Sequence, residues 1–353
     1  MAGSAAIIVR RVAPVELLFL AQEDVVAGGG LDMDACLETI EETLALHHRG
    51  ETIAPPKAVI HWSHDLDSDE KQGRIMAMPA YVGGSSHMAG LKWIPSVPDN
   101  PQRGLPRGIG VILLSDPETG VPVSIMDGTV ISAMRTGAVS GVAARYLARE
   151  GAATLALYGA GVQARTQLAA LERTLPALEE IRLFDVDREK AERLAAEHES
   201  LRGRVVVAGS AEEAAAGADV LVPATMAAEP FIAQDWLGPG ALLISISSLD
   251  VDADVVGAAD LVVADDWEHE TAHPSRPLAR AWAAGLLEPG DVVPLGAIVA
   301  GDHPGRTRTE ERIVVSPVGM GIEDVAEATR VYRRAKETGV GTWQRLWNEP
   351  VWR

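Results

Sequence analysis

The segment Thr154-Leu155-Ala156-Leu157-Tyr158-Gly159-Ala160-Gly161-Val162-Gln163-Ala164 restricts the possible folds more than any other part of the chain. A run of strand formers ends in a G-x-G-x-x-A turn, and a helical apolar pattern follows to Leu175. Strand, glycine turn and helix in that order open a dinucleotide-binding parallel sheet. Gly159 permits the tight turn, Gly161 leaves room for a pyrophosphate beside the backbone, and the small Ala164 lets helix and strand pack closely. The free amides at the helix start then face phosphate charge. Such a turn recurs by chance in a chain with 34 glycines. Asp185 gives it weight: it closes the next strand-like run 21 residues after Ala164, near the roughly 20 expected of an acid that accepts from ribose hydroxyls. A carboxylate there repels a 2′-phosphate, so NAD is expected rather than NADP. Arg188 is a counter-signal, and Asp187 beside it adds negative charge.

The same rhythm continues downstream. Strand-like runs at Ile181–Asp185, Arg204–Ala208, Val220–Ala224, Leu242–Ile246 and Leu261–Ala264 alternate at first with helical patterns at Val162–Leu175, Glu189–His198 and Ala211–Ala216. That alternation predicts a parallel sheet with crossovers. Upstream, short apolar runs at Ala58–Ile60, Arg74–Met78, Ala89–Ile94, Val111–Leu114 and Val123–Met126 predict a meander, with a turn at Asp116–Gly120. A first strand near Val15–Leu20, a helix over Asp34–His48, a connecting helix over Ile131–Arg149 and a last amphipathic helix over Asp324–Glu337 complete the reading. The expected fold is α/β: a Rossmann domain over 135–314 and an α+β substrate-binding and dimerisation domain over 1–134, to which 315–353 returns. A length of 353 residues suits two domains.

Several function classes drop out. Thirty-one basic against 50 acidic residues give a formal charge of −19, which repels nucleic acid and anionic membrane surfaces. No apolar run nears the roughly 18 residues of a membrane span, and Glu16 interrupts the only stretch resembling a signal peptide. A single cysteine, Cys36, excludes an internal disulfide and suits a reducing cytoplasm. His269-Glu270-Thr271-Ala272-His273 spells H-E-x-x-H, but Pro274 follows and no third ligand stands at metalloprotease spacing. It is read as a polar loop, as are His61 and His64 with Asp65, and no metal is expected. No G-x-S-x-G elbow is present.

Four segments in order, Gly90-Leu91-Lys92-Trp93-Ile94 through Asp99-Asn100-Pro101, Met126-Asp127-Gly128 through Met134-Arg135-Thr136-Gly137, Gly159 to Leu168, and Pro317-Val318-Gly319-Met320-Gly321-Ile322-Glu323-Asp324, resemble the ornithine cyclodeaminase and mu-crystallin family. The resemblance runs from about residue 16 to 342. Lys92-Trp93-Ile94, Asp265-Asp266-Trp267, Gly301-Asp302-His303-Pro304-Gly305-Arg306 and Met320 are most similar to one branch of that family. That branch makes 2,3-diaminopropionate for siderophores and peptide antibiotics by oxidising N-(2-amino-2-carboxyethyl)-L-glutamate with NAD. The resemblance implies a homodimer built through the substrate domains. It places Lys57, Lys92 and Arg135 on a substrate carboxylate, and Thr136, Gly159, Gly161, Val162, Gln163, Asp185, Thr225, Ser247, Ser248 and Gly319 along the dinucleotide. It makes Asp250 the catalytic acid, with Asp252 as the other choice and Lys92 beside it. Pro317 departs from the cyclodeaminases, which carry a serine there.

The residue types agree with this chemistry. Cations suit a substrate with three carboxylates, and Arg74 and Arg107 are further basic candidates. Hydride leaves the α-carbon, a carboxylate takes the amine proton and activates water, and hydrolysis yields 2-oxoglutarate and 2,3-diaminopropionate. The alternatives on the same fold are an ornithine or lysine cyclodeaminase and an imine reductase or alanine dehydrogenase. A crystallin-like binder of nucleotide and ligand is the non-enzymatic alternative.

Overall fold

A computed structural model describes residues 13–63, 72–198 and 203–352. The chain enters through β1 (Val15–Leu20), α1 (Gln22–Val25) and α2 (Met33–His48), then β2 (Thr52–Ile53), β3 (Ala58–Trp62), β4 (Gly73–Val82), β5 (Met88–Ser96), β6 (Val111–Ser115) and β7 (Pro122–Asp127). It leaves through α3 (Thr129–Leu147) into β8 (Thr154–Tyr158), α4 (Val162–Thr174), β9 (Glu180–Phe184), α5 (Arg188–Glu197), β10 (Arg204–Val207), α6 (Ala211–Ala215) and β11 (Val220–Pro223). There follow β12 (Leu242–Ile244), α7 (Ala253–Gly257), β13 (Leu261–Ala264), α8 (Trp267–Thr271), α9 (Pro277–Ala283), β14 (Val292–Pro294), α10 (Leu295–Val299) and β15 (Ile313–Ser316). Finally α11 (Gly321–Thr338) and β16 (Thr342–Trp347) return to the first sheet.

Two sheets result. The first runs β16-β1-β7-β6-β5-β4-β2, with β3 also on β4, and is antiparallel except where β1 lies parallel to β7. Alternation along its strands puts Leu18, Leu20, Ile112, Leu114 and Met126 under the helices, while their neighbours point the other way. α11 presents Ile322, Val325, Ala328, Val331 and Tyr332 to that core. Gly90 keeps the approach close, since a β-carbon there would stand 2.9 Å from Val325 Cγ2.

The second sheet runs β10-β9-β8-β11-β12-β15-β13-β14 and is parallel throughout. Chain order reverses beside β8, and in such sheets ligands bind at the strand C-termini at that point. Tyr158 stands opposite Phe184, so the glycine turn and Asp185 emerge side by side. α3 joins the two halves and is buried along most of its length. Its Gly141 lets α2 in, since a β-carbon there would meet Leu37 Cδ2 at 2.7 Å.

Two expectations are corrected, and one strand is added. The 269–273 segment is not a polar loop: Asp266 caps α8 by accepting from His269 N at 2.7 Å, and His269 and Glu270 are buried. α3 ends at Leu147 rather than Arg149, because Ala148 is already extended. β16 was not foreseen, since Thr342–Trp347 is largely exposed and carries no alternating pattern; pairing with β1 makes it a strand. His64 and Asp65 lie outside the described residues. Among the described residues no helix is long and apolar enough to cross a membrane.

Candidate active site

The glycine turn builds the first wall of a cleft of about 650 Å³. Gly159 has φ +93°, and a β-carbon on it would lie 2.6 Å from the Ala224 carbonyl. Gly161 caps α4 with open space around it and no side chain on the first-turn amides, so those donors are left for a ligand. Asp185 is held from both sides: Oδ2 accepts from Ala160 N at 2.8 Å and Oδ1 from Asp187 N at 2.8 Å. These bonds aim its carboxylate along the cleft it lines. Arg188 turns away to Glu192 at 2.8 Å, so it does not offset the charge of Asp185. Val162, the first residue of α4, is exposed. Gln163 receives a weak bond from Thr166 Oγ1 at 3.4 Å, and Thr136 Oγ1 donates to Ser132 O at 2.8 Å.

The opposite wall carries Thr225, whose hydroxyl donates to Asp250 Oδ1 at 2.7 Å and whose amide donates to Oδ2 at 3.3 Å. Asp250 is 1% exposed, and its carbonyl accepts from Phe231 N and Ile232 N at 3.1 Å. The structure therefore places Asp250 behind Thr225 with both carboxylate oxygens engaged. Asp252 is exposed and accepts from Ala253 N at the start of α7. Ser247 and Ser248 form the turn before it. The Ser247 hydroxyl is buried without a partner among the described residues, and its carbonyl accepts from Arg276 Nη1 at 3.2 Å.

Between the two sheets lies a group of buried charges. Lys92, opposite Met78 and Ile112, is 1% exposed. Its Nζ pairs with Asp324 Oδ2 at 2.6 Å and donates to Ser132 Oγ at 3.1 Å. Arg135 on α3 donates Nε to Asp324 Oδ1 at 3.1 Å and Nη1 to Glu323 Oε2 at 2.5 Å. Lys57 Nζ donates to the Val318 carbonyl at 2.8 Å. Asp265 shapes the loop they share, accepting from Val318 N at 3.0 Å and Gly319 N at 2.7 Å. Gly319 has φ +72°, and a β-carbon there would collide with Arg135 Nη1. The three expected cations thus meet at one loop, although Lys92 and Arg135 already face carboxylates of α11.

Burial shifts these groups. Lys57 and Lys92 are each brought down to about 8, first by burial and then by the Arg135 charge. Burial pushes Glu323 up to about 7 against the pull of Arg135, and its Oε1 has no partner among the described residues. Arg135 is desolvated too, yet Asp324 and Glu323 hold it above the ordinary guanidinium range. Arg74 is exposed on β4, and Arg107 donates Nε to Ser96 Oγ at 3.1 Å.

Several participants had no assigned role in the sequence reading: Asp265, Glu323, Asp324 and Arg276. Arg276 donates to Glu270 Oε2 at 2.8 Å and to the Pro317 carbonyl at 2.9 Å. A signal existed for two of them, since Glu323 and Asp324 sit among Gly321, Ile322 and Val325, where a solvated pair of acids is out of place. The H-E-x-x-H residues hold no metal geometry. His269 spends Nδ1 on Asp266 at 2.9 Å and Nε2 on the Pro55 carbonyl at 3.2 Å. No group of three potential metal ligands occurs among the described residues.

The sequence model described as the ornithine cyclodeaminase/mu-crystallin family matches residues 16–339. The N-((2S)-2-amino-2-carboxyethyl)-L-glutamate dehydrogenase of Staphylococcus aureus is 32% identical over 94% of this chain and 99% of its own. An archaeal alanine dehydrogenase dimer solved with bound NAD superposes with a TM-score of 0.83 at 32% identity, covering 94% of this chain and 100% of that one. The Δ1-pyrroline-2-carboxylate reductase of Thermococcus litoralis, solved with NADH and L-proline, gives 0.82 at 31% identity, over 92% and 99%.

Proposed function

The chain belongs to the ornithine cyclodeaminase/mu-crystallin family, and from that premise we propose that it oxidises an N-substituted amino acid with NAD. The substrate that fits best is N-(2-amino-2-carboxyethyl)-L-glutamate, giving 2,3-diaminopropionate and 2-oxoglutarate. The carrying observation is the convergence of Lys57, Lys92 and Arg135 on the 317–320 loop and the first turn of α11 in a chain of formal charge −19. Lys92 and Arg135 are paired with Asp324 and Glu323, but Lys57 and the Nη2 of Arg135 stay outside these pairs, and cationic groups left so favour an anionic ligand. The name of the Staphylococcus aureus relative supports the same substrate.

The cleft fits a dinucleotide. The uncapped amides of Val162 and Gln163 suit the pyrophosphate, Asp185 suits the ribose hydroxyls, and the orphaned Ser247 hydroxyl is a donor awaiting a partner. Thr136, Thr225, Ser248 and Gly319 are proposed to border the rest of the molecule. Bound NAD supplies a two-electron hydride acceptor. Oxidation removes hydride from the α-carbon of the glutamate moiety and a proton from its nitrogen, leaving a C=N bond. Water adds to that carbon, the C–N bond breaks, and the nitrogen departs protonated with 2,3-diaminopropionate.

Arg135 keeps Nη2 outside its pairs with Glu323 and Asp324, so that nitrogen can grip a substrate carboxylate. Lys57, alone of the three cations, has no carboxylate partner among the described residues. Held at about 8, it is partly neutral at mildly alkaline pH and suited to take the amine proton. Asp250 then fixes Thr225 at the cofactor cleft. We also place the protein in a reducing cytoplasm, which suits the buried Cys36 thiol, and as a homodimer through the first sheet.

Absorbance at the NADH wavelength, with NAD and either N-(2-amino-2-carboxyethyl)-L-glutamate or L-ornithine, tests the reading. One NADH and one 2-oxoglutarate per substrate consumed are expected from the first compound and nothing from the second. Proline from ornithine without net NADH would instead make the protein a cyclodeaminase.

A further inference from the structure

We propose that Arg74, Arg107 and His273 form a second anion site, which holds a carboxylate of the substrate remote from its reacting carbon. The inference deepens the reaction proposed above and rests on it for the identity of the substrate. On the β4/β5 pair, Arg74 faces Ser96 and, four residues along, Met78 faces Lys92. Strand residues four apart share a face, so Arg74, Ser96 and Lys92 look to one side, where Lys92 meets Asp324. Arg107 reaches that face from the loop between β5 and β6, with its Nε on Ser96 Oγ at 3.1 Å. His273 arrives from the other sheet, in the turn after α8, and is half-buried. The charges that bear on it are those of Lys57, Arg276, Arg74 and His269, and burial together with these cations holds it below the ordinary imidazole value. Arg107 is depressed likewise, by burial and by Arg74.

The contrast with the neighbouring cations supplies the direction. Lys92, Arg135 and Arg276 are each paired with a buried carboxylate. Among the described residues Arg74, Arg107 and His273 have none, in a chain with 50 acidic against 31 basic residues. Arg74 and Arg107, brought together with no acid of the described residues between them, raise the free energy of the site, and an anion relieves it while drawing His273 toward its protonated, hydrogen-bond-donating form. Lys92 and Ser96 are about 13 Å apart along the strand, so the second site is separate from the first, and the long side chains are what bring both within reach of one extended substrate with carboxylates at its ends. His273 is thereby the member of H-E-x-x-H that faces the ligand, while His269 and Glu270 are spent on internal bonds.

Calorimetric titration of the NAD-loaded protein tests this. The probes are N-(2-amino-2-carboxyethyl)-L-glutamate and its two counterparts in which one or the other remote carboxylate is an amide. The wild type is expected to bind the parent about tenfold or more tightly than one of the amides, and the identity of that amide names the arm held here. Arg74→Gln, Arg107→Gln and His273→Asn each bring the ratio toward one, with NAD affinity confirming that the variants fold; Arg107→Lys, which keeps the charge and loses the planar fork, recovers part of it. A wild-type ratio of one, or a ratio that all the variants preserve, overturns the site even if the parent is turned over. A preference that the variants abolish without any NADH formed keeps the site and overturns the proposed reaction. Binding of none of the three compounds overturns both.

Discussion

Asp250 and Thr225 show how far a residue's identity can be read without its neighbours. An aspartate after the serine turn is an obvious candidate acid in the sequence, yet in the fold its two oxygens accept from the Thr225 hydroxyl and amide. A buried carboxylate so engaged positions its donor, and removing it leaves two donors unmet at a cost of about 1–3 kcal/mol. Asp250→Ala is therefore expected to lower the denaturation midpoint and to reduce kcat/KM through Thr225. Thr225→Val should reproduce much of the kinetic loss, and the double variant should be little worse than either single one. Losses that add would show that Asp250 acts on the substrate itself. The place of Asp185 in the cleft was legible because it follows a local motif at a fixed interval. Glu323 and Asp324 were not, because their importance comes from burial opposite Arg135 and Lys92, residues of other elements.

Among the elements, α8 is the one read as a loop, and its electrostatics carry a prediction. Asp266 caps the helix and is bonded by His269 Nδ1 at 2.9 Å and by His47 Nε2 from α2 at 3.3 Å, so it ties the second sheet's helix to the first sheet's. The Asp266 bond, working against burial, raises His269 from its ordinary value near 6.5, while His269 and His47 hold Asp266 far below the usual carboxylate range. A raised histidine stabilises the fold fully below its unfolded value and loses that contribution as pH rises through the folded one. A depressed aspartate does the reverse: its contribution is full above its unfolded value near 4 and is lost as pH falls from there toward the folded one. The stability difference between wild type and Asp266→Asn, from urea unfolding midpoints, should be largest between about pH 4.5 and 6.5 and shrink at higher pH. A difference that does not vary with pH would remove the ionic account of this contact. The strands β8 to β13 and the helices α4, α5 and α6 were legible because each is short-range in origin: apolar runs, caps and glycine turns; the short β14, β15, α7, α9 and α10 were not read. α8 was missed because five residues carry too little periodicity to outvote the proline that follows.

At the scale of the molecule, the outer face of the first sheet is left uncovered by the described residues of one chain. Val111 pairs with Trp93, Leu113 with Leu91 and Ile125, and Ile125 with Phe19, so these apolar side chains form one cross-strand patch, with Phe19, Trp93 and Val111 over two-fifths exposed. A second copy of the chain is proposed to cover it, as befits a relative solved as a dimer. Sedimentation velocity should give twice the chain mass for the wild type and one chain mass for Trp93→Glu with Val111→Glu. A monomeric wild type would exclude this interface. The two-layer plan, the parallel sheet and the nucleotide turn follow from the sequence by itself, because backbone hydrogen bonding, the pleat and the glycine φ requirement act between residues close along the chain. The arrangement of the proposed substrate site was decided by the tertiary structure, although the resemblance already names its three cations. Its charges come from residues 57, 92 and 135, from 265–276 and from 317–324, and whether a lysine is spent on an acid or left for a ligand depends on separation and burial, which no order of residues specifies.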